Sequence, residues 1–209
     1  MGARKMSEII SINTEEGITS SVKDEELDVL PVYPDAFPML QEKIPEYKDA
    51  LPSGTMTVLV KRLKMTMKAY NGLGLAANQC GVFERVFVMR MQDRNEIKNV
   101  ACINPKIIDE SDEIIRDKEG CLSYPGMFLT VPRSQWITAS WYDENGNGYE
   151  ARLDGIQARV FAHELDHLNG VKMTDYVGPV AVKMAKDKQA KLMKKIKRQM
   201  KNGKLQNPI

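Results

Sequence analysis

His163-Glu164-Leu165-Asp166-His167 holds both histidines of this 209-residue chain. On an α-helix, residues four apart stand one turn above each other on the same face, so the two imidazoles can close on one metal ion. A glutamate directly after the first histidine is placed to move protons for water activated there. Working outward, Asp154 reads as a helix N-cap and Gly170 as the stop, framing one helix through the pair. At about 100° per residue, Ile156, Val160, His163 and His167 fall in one stripe. The metal-facing side therefore continues into aliphatic carbon that a bound side chain would meet. Phe161, Leu165 and Leu168 form a second stripe and read as core. Arg159 flanks the first stripe and reads as a surface or ion-paired arginine.

Two histidines do not complete a catalytic metal site, which takes a third protein ligand and leaves one position for water. Cys80, Cys102, Cys121 and many carboxylates are open candidates. Cys121 stands in a tight context, Glu119-Gly120-Cys121-Leu122-Ser123. Gly120 allows close backbone approach or a sharp turn, and a cation favours the thiolate. Cys80 and Cys102 lie among apolar residues and read as small buried hydrophobes. An odd number of cysteines with no apolar leader points to a reducing compartment and away from a disulfide framework. No run is long and apolar enough to cross a membrane. Charge is uneven. From Val180 to Ile209 ten Lys or Arg face the single acid Asp187, a surplus of nine in a chain whose net charge is +2, so the remainder carries −7. An acidic body with a basic tail expects an anionic partner for the tail.

The organisation follows from the same reading. Residues 1–29 are polar and acidic and read as a loosely ordered arm. Pro31, Pro34, Pro38, Pro45 and Pro52 favour extended or turn structure over the next segment. Ser53-Gly54 opens a helix whose apolar positions are Met56, Leu59, Val60, Leu63, Met67 and Tyr70, with Gly72 and Gly74 as its stop. The next stretch, Gly72-Leu73-Gly74-Leu75-Ala76-Ala77-Asn78-Gln79, lacks the third glycine of a dinucleotide loop and the GK[ST] of a P-loop. Its small residues suit close backbone approach, as where a peptide lies alongside as an added strand. Residues 85–91 and 100–108 read as strands, the second carrying a break or an edge at Pro105. Alternation over 136–142 and 149–153 reads as a hairpin. Pro179 starts a lysine-rich helix to about residue 202. The expected fold class is α+β: short antiparallel or mixed strands around a central metal-binding helix, with a basic C-terminal helix. The expected units are 1–29, a catalytic body over 30–178, and the basic helix and tail over 179–209.

Together the strings Gly72–Gln79, Glu119–Ser123 and His163–His167 resemble the peptide deformylase motifs GxGxAAxQ, EGCxS and HExDH, in that order and spacing. The resemblance runs from about Leu30 through the C-terminal helix. It implies that Cys121, His163 and His167 bind one divalent ion, Fe2+ by family habit, with Zn2+, Ni2+ or Co2+ able to take the place. It implies Glu164 as general acid and base, and Gln79 with the Leu122 N–H as donors to the oxyanion. The implied substrate is an N-formyl-methionyl nascent peptide, its backbone held at Leu73 and Gly74 and its methionine received by Ile156 and Val160. The products are formate and a free amine. Resemblance further implies a Glu119–Arg133 ion pair, a ribosomal or rRNA partner for the basic helix, no membrane partner, and a cytoplasmic or organellar location. One departure is Ala162, where many members have glutamine. Two other readings remain open: a metal-dependent peptidase, and a non-catalytic ribosome- or RNA-binding protein with a structural metal completed by Cys80 or Cys102.

Overall fold

The computed structural model describes residues 28–93 and 96–201. The arm expected over 1–29 lies outside the described residues except for Asp28 and Val29, as does the tail over 202–209. The architecture is α+β. Strands β1 (Gly74–Ala76), β2 (Val86–Asp93), β3 (Glu96–Glu110), β6 (Trp136–Tyr142) and β7 (Gly148–Asp154) form one sheet in the order β1-β2-β3-β6-β7. Strands β4 (Ile114–Gly120) and β5 (Phe128–Ser134) form a separate hairpin, and every pairing is antiparallel. The helices are α1 (Gly54–Ala69), α2 (Gly155–Leu168) and α3 (Pro179–Lys201).

Alternation along β2 explains the layering, because successive side chains leave a strand on opposite faces. Val86 and Val88 go to one face with Val60, Leu63 and Met67 of α1. Phe87 and Met89 go to the other with Phe161, Leu165 and Leu168 of α2. The sheet is thus buried on both faces at its centre, and α2 lies against it by the stripe expected to be core. Phe161 anchors this contact edge-on to Phe87, ring centroids 5.1 Å apart.

Several local expectations shift. Helix α1 ends at Ala69, before either glycine. Asn71 takes the left-handed turn, at φ 53°, and the Gly72 N–H closes onto the Met67 carbonyl at 2.8 Å. Asparagine tolerates that conformation through its short polar side chain. Gly74 is then free for another purpose, inside β1. Asp154 occupies the N-cap position of α2 but makes no side-chain cap bond. Strand β3 runs through Pro105 by shifting register between Ile103 and Lys106, with Asn104 at φ 51°. A bulge of that kind frees the proline from the ladder bond it cannot donate. The β4–β5 hairpin had no reading in the sequence. Strand β4 buries only Glu119, so it offers no apolar alternation to detect.

Helix α3 spans Pro179–Lys201 and buries little beyond Ala185. It rests on the hairpin side of the body, where Tyr124, Met127, Leu129, Val131 and Met173 form a small third core. Gln189 Nε2 donates to the Pro125 carbonyl at 2.9 Å. Among the described residues no helix is long and apolar enough to cross a membrane.

Candidate metal centre

Two pieces of chain bring the chemistry together. Helix α2 presents His163 and His167 on one buried face, ring centroids 5.0 Å apart. The β4–β5 hairpin delivers Cys121 at the end of β4. One ligand atom from each of Cys121, His163 and His167 falls within 4.8 Å of the others, the one such group found among the described residues. Cys121 Sγ is 3.2 Å from His167 Nε2. His163 turns its Nδ1 to Glu119 Oε2 at 3.0 Å, which leaves Nε2 for the cluster. Cys80 and Cys102 are free thiols in the core, outside the cluster. Burial pushes the Cys80 thiol up to about 12 and holds Cys102 well above the usual thiol range, so neither is disposed to act as a thiolate.

One thiolate and two imidazoles converging from two elements are a donor set for a divalent transition metal with a position left for water. The local field agrees. Burial opposes a proton on His163, yet its contacts with Cys121 and Glu119 outweigh burial and hold its pKa well above the imidazole range. His167 is held well below the range by burial and by His163 beside it, which suits a neutral ligand. The residues present therefore fit such an ion.

Behind His163 lies a buried ion-pair network. Glu119 accepts from Arg133 Nε at 2.9 Å and Nη2 at 3.1 Å, and from Arg159 Nη1 at 2.7 Å. Burial raises the Glu119 pKa, but the bonds from His163 and Arg133 outweigh it and bring the carboxyl down to about 2. Arg133 also donates to Asp166 Oδ2 at 2.6 Å, and Tyr176 O–H donates to Asp166 Oδ1 at 3.0 Å. The Glu119–Arg133 pair is thus present. Arg159, ambiguous in the sequence, is buried within it.

Glu164 is 4% exposed, and its Oε2 has no hydrogen-bond partner among the described atoms. Burial pushes its carboxyl up to about 7 against the pull of His163. Gly74 lies directly against it, so close that a Cβ there would overlap the Glu164 carboxylate. That contact is the use to which Gly74 is put. Gln79 sits in a one-turn helix after β1. Its Oε1 accepts the Ala76 N–H at 2.9 Å, and its Nε2 points to Ser123 Oγ at 3.2 Å and Cys121 Sγ at 3.5 Å. Asn78 Nδ2 donates to the His167 carbonyl at 2.6 Å, tying this turn to the end of α2.

Above the cluster opens a cleft of about 840 Å³ whose walls include Leu73, Gly74, Gln79, Leu122, Val160 and Glu164. Ile156 stands at its rim, 60% exposed, and Val160 lies deeper and half-buried. Every residue given a metal, catalytic or substrate role by the family resemblance thus lines the cleft or belongs to the cluster beneath it, whereas Cys80 and Cys102 do neither. Asp166, Tyr176, Ser123 and Arg159 were given no role there. Of these, Asp166 lies inside HELDH and Ser123 inside EGCLS, while Tyr176 and Arg159 lie outside every motif.

The polypeptide deformylase family model matches residues 29–183. A peptide deformylase of Thermotoga maritima is 38% identical over 139 residues, spanning 66% of this chain and 82% of that protein. The crystal structure of peptide deformylase from Ehrlichia chaffeensis aligns with a TM-score of 0.72 at 34% identity, covering 80% of this chain and 98% of that one. A Met-Ala-Ser-bound class I type b peptide deformylase from Acinetobacter baumannii aligns at 0.68 and 29% identity, covering 72% and 99%. With a family match that carries all three motifs and the cluster they assemble, this chain belongs to the polypeptide deformylase family.

Proposed function

We propose that this chain removes the N-formyl group from the N-terminal methionine of newly made proteins, releasing formate, and that Cys121, His163 and His167 hold the metal the reaction needs. The observation that carries the proposal is the convergence of those three donors beneath a cleft that Glu164 and Gln79 also face. Held by Cys121, His163 and His167, a divalent ion would acidify water and supply positive charge to offset the developing oxyanion. We assign Fe2+ to the site by family habit, with Zn2+, Ni2+ and Co2+ as ions the same donors accept.

Glu164 takes the proton of the attacking water and passes it to the leaving nitrogen. A carboxyl lifted by burial toward neutral pH is suited to both transfers. The Gln79 Nε2 amide and the Leu122 N–H donate to the oxygen as it becomes negative. Ser123 and the Ala76 N–H hold the Gln79 amide in place, so little reorganisation is needed as charge develops.

Strand β1 is one of the two edge strands of the sheet, with β7 at the other edge. The Leu73 carbonyl accepts the Arg90 N–H at 2.8 Å. Antiparallel alternation then turns the N–H and C=O of Gly74 outward, where a peptide can add as a strand. Leu73 offers its side chain at the rim. Val160 and Ile156 receive the methionine. Products distinguish this reading from a peptidase: formyl-Met-Ala-Ser gives formate and intact Met-Ala-Ser, whereas cleavage of a peptide bond contradicts it.

Gly74→Ala forces the whole Glu164 side chain to move, because the added Cβ meets its Cγ, Cδ and Oε1. The expected result is a loss of about 100-fold in kcat, since displacing a catalytic group by about 1 Å costs that much. Metal content should stay unchanged, and steady-state kinetics with metal analysis on one preparation checks both.

The catalytic body is assigned to 30–178, with α3 and the tail, 179–209, as an appended element. Helix α3 exposes Lys191, Lys194, Lys195 and Lys197, and we assign this face to rRNA phosphate. Changing these four lysines to glutamine should weaken co-sedimentation with ribosomes and flatten its salt dependence, because each lost phosphate contact removes released counterions. Turnover of formyl-Met-Ala-Ser should not change. Unaltered co-sedimentation at low salt contradicts the assignment. We assign the enzyme to the cytoplasm or an organellar matrix, a reading that its three free cysteines support.

A further inference from the structure

The three cluster donors come from two pieces that the chain itself does not hold in register. Cys121 follows β4 on the hairpin, and His167 lies 46 residues later on α2. Some element must fix the hairpin's position against the helix. Arg133 does this only in part. It sits on β5, so its bonds to Glu119 stay within the hairpin, and only its bond to Asp166 crosses to α2.

Arg159 crosses three times. It lies on α2 one turn before His163 and is 7% exposed. Its Nη1 donates to Glu119 Oε1 at 2.7 Å and to the Val131 carbonyl at 2.9 Å. Its Nη2 donates to the Ile115 carbonyl at 2.8 Å. The acceptors lie on both strands, Ile115 and Glu119 on β4 and Val131 on β5. A planar guanidinium can serve three fixed acceptors at once, and an ammonium cannot match that fork. At Glu119, the Arg159 bond on Oε1 leaves Oε2 facing His163 Nδ1.

We propose that Arg159 is a positioning residue: it clamps the β4–β5 hairpin onto α2 and so sets the spacing of Cys121 from His163 and His167. The inference rests on the reading of those three residues as the metal ligands. It adds a function to a side chain that contributes no donor to the ion.

The test uses the full chain stripped of metal and titrated with Co2+. Affinity is read by chelator competition, and geometry by the thiolate charge-transfer and d–d absorption bands. Arg159→Leu should bind Co2+ roughly 10- to 100-fold more weakly, the usual effect of losing a partner behind a ligand, with displaced d–d bands. Arg159→Lys keeps the charge and one contact, and should fall between Arg159→Leu and the wild type on both readouts. It also serves as the test variant if Arg159→Leu fails to fold. Wild-type Co2+ affinity and spectrum in the folded variants overturn the clamp, even if the melting temperature falls, because Arg159 then acts only on stability. Failure is different if the wild type binds no Co2+ or if Cys121→Ser leaves the charge-transfer band in place. That result overturns the ligand assignment itself, and the clamp with it.

Discussion

Glu164→Gln lowers formate release from formyl-Met-Ala-Ser by roughly 10²- to 10⁴-fold, the range that a positioned general acid and base contributes. The substitution keeps the side chain's shape, so the contact with Gly74 and the packing on α2 survive. It removes only the two proton transfers proposed for Glu164. Folding should be unharmed. Burial already disfavours the charged form of Glu164, so a neutral amide in the same space forgoes no ion pair that the fold relies on. Metal analysis should find one ion per chain in the variant, as in the wild type. Formate release close to wild type in a metal-loaded variant removes Glu164 from the mechanism.

Glu119→Ala acts through a different cause and should be the most damaging change for stability. The carboxylate accepts from Arg133, Arg159 and His163, and its side chain is 4% exposed. Removing it leaves two buried guanidiniums without their shared counter-ion, and breaking a buried pair in that way costs about 3–5 kcal/mol. In a protein of this size that lowers the melting temperature by roughly 10 °C. His163 also loses the acceptor that orients its ring, so metal affinity should fall roughly 10- to 100-fold. Glu119→Gln keeps a neutral acceptor and should lose less on both counts. Thermal melting and chelator competition on the three proteins check the order wild type, Gln, Ala. Equal melting temperatures contradict the network's importance.

The helix through HELDH was legible because a 3.6-residue period, two unusual side chains and a closing glycine all agree on α2. The hairpin over 136–153 was legible for the same reason at a period of two. The β4–β5 hairpin was not, since Ile114–Lys118 faces solvent and only Glu119 turns inward. Of the metal centre, the sequence offered the donors as types and the family motifs offered their grouping. What holds them together lay beyond local reading. Arg159 looks like any charged residue on a helix, because its partners on the hairpin stand 28 to 44 positions away. Gly74 read as punctuation after a helix, and its closeness to Glu164 exists only after α2 packs beneath β1. In each case the missing information is a tertiary distance, which periodicity does not encode.

On the proposed mechanism, one metal ion on Cys121, His163 and His167 serves the deformylation reaction. Titrating the stripped protein with Fe2+ under anaerobic conditions, or with Co2+ in air, while following formate release from formyl-Met-Ala-Ser tests it most directly. The expected curve rises linearly and breaks at one ion per chain, with no such rise in Cys121→Ala. Formate release that ignores added metal, a break at two ions, or no release from the fully loaded protein would contradict it.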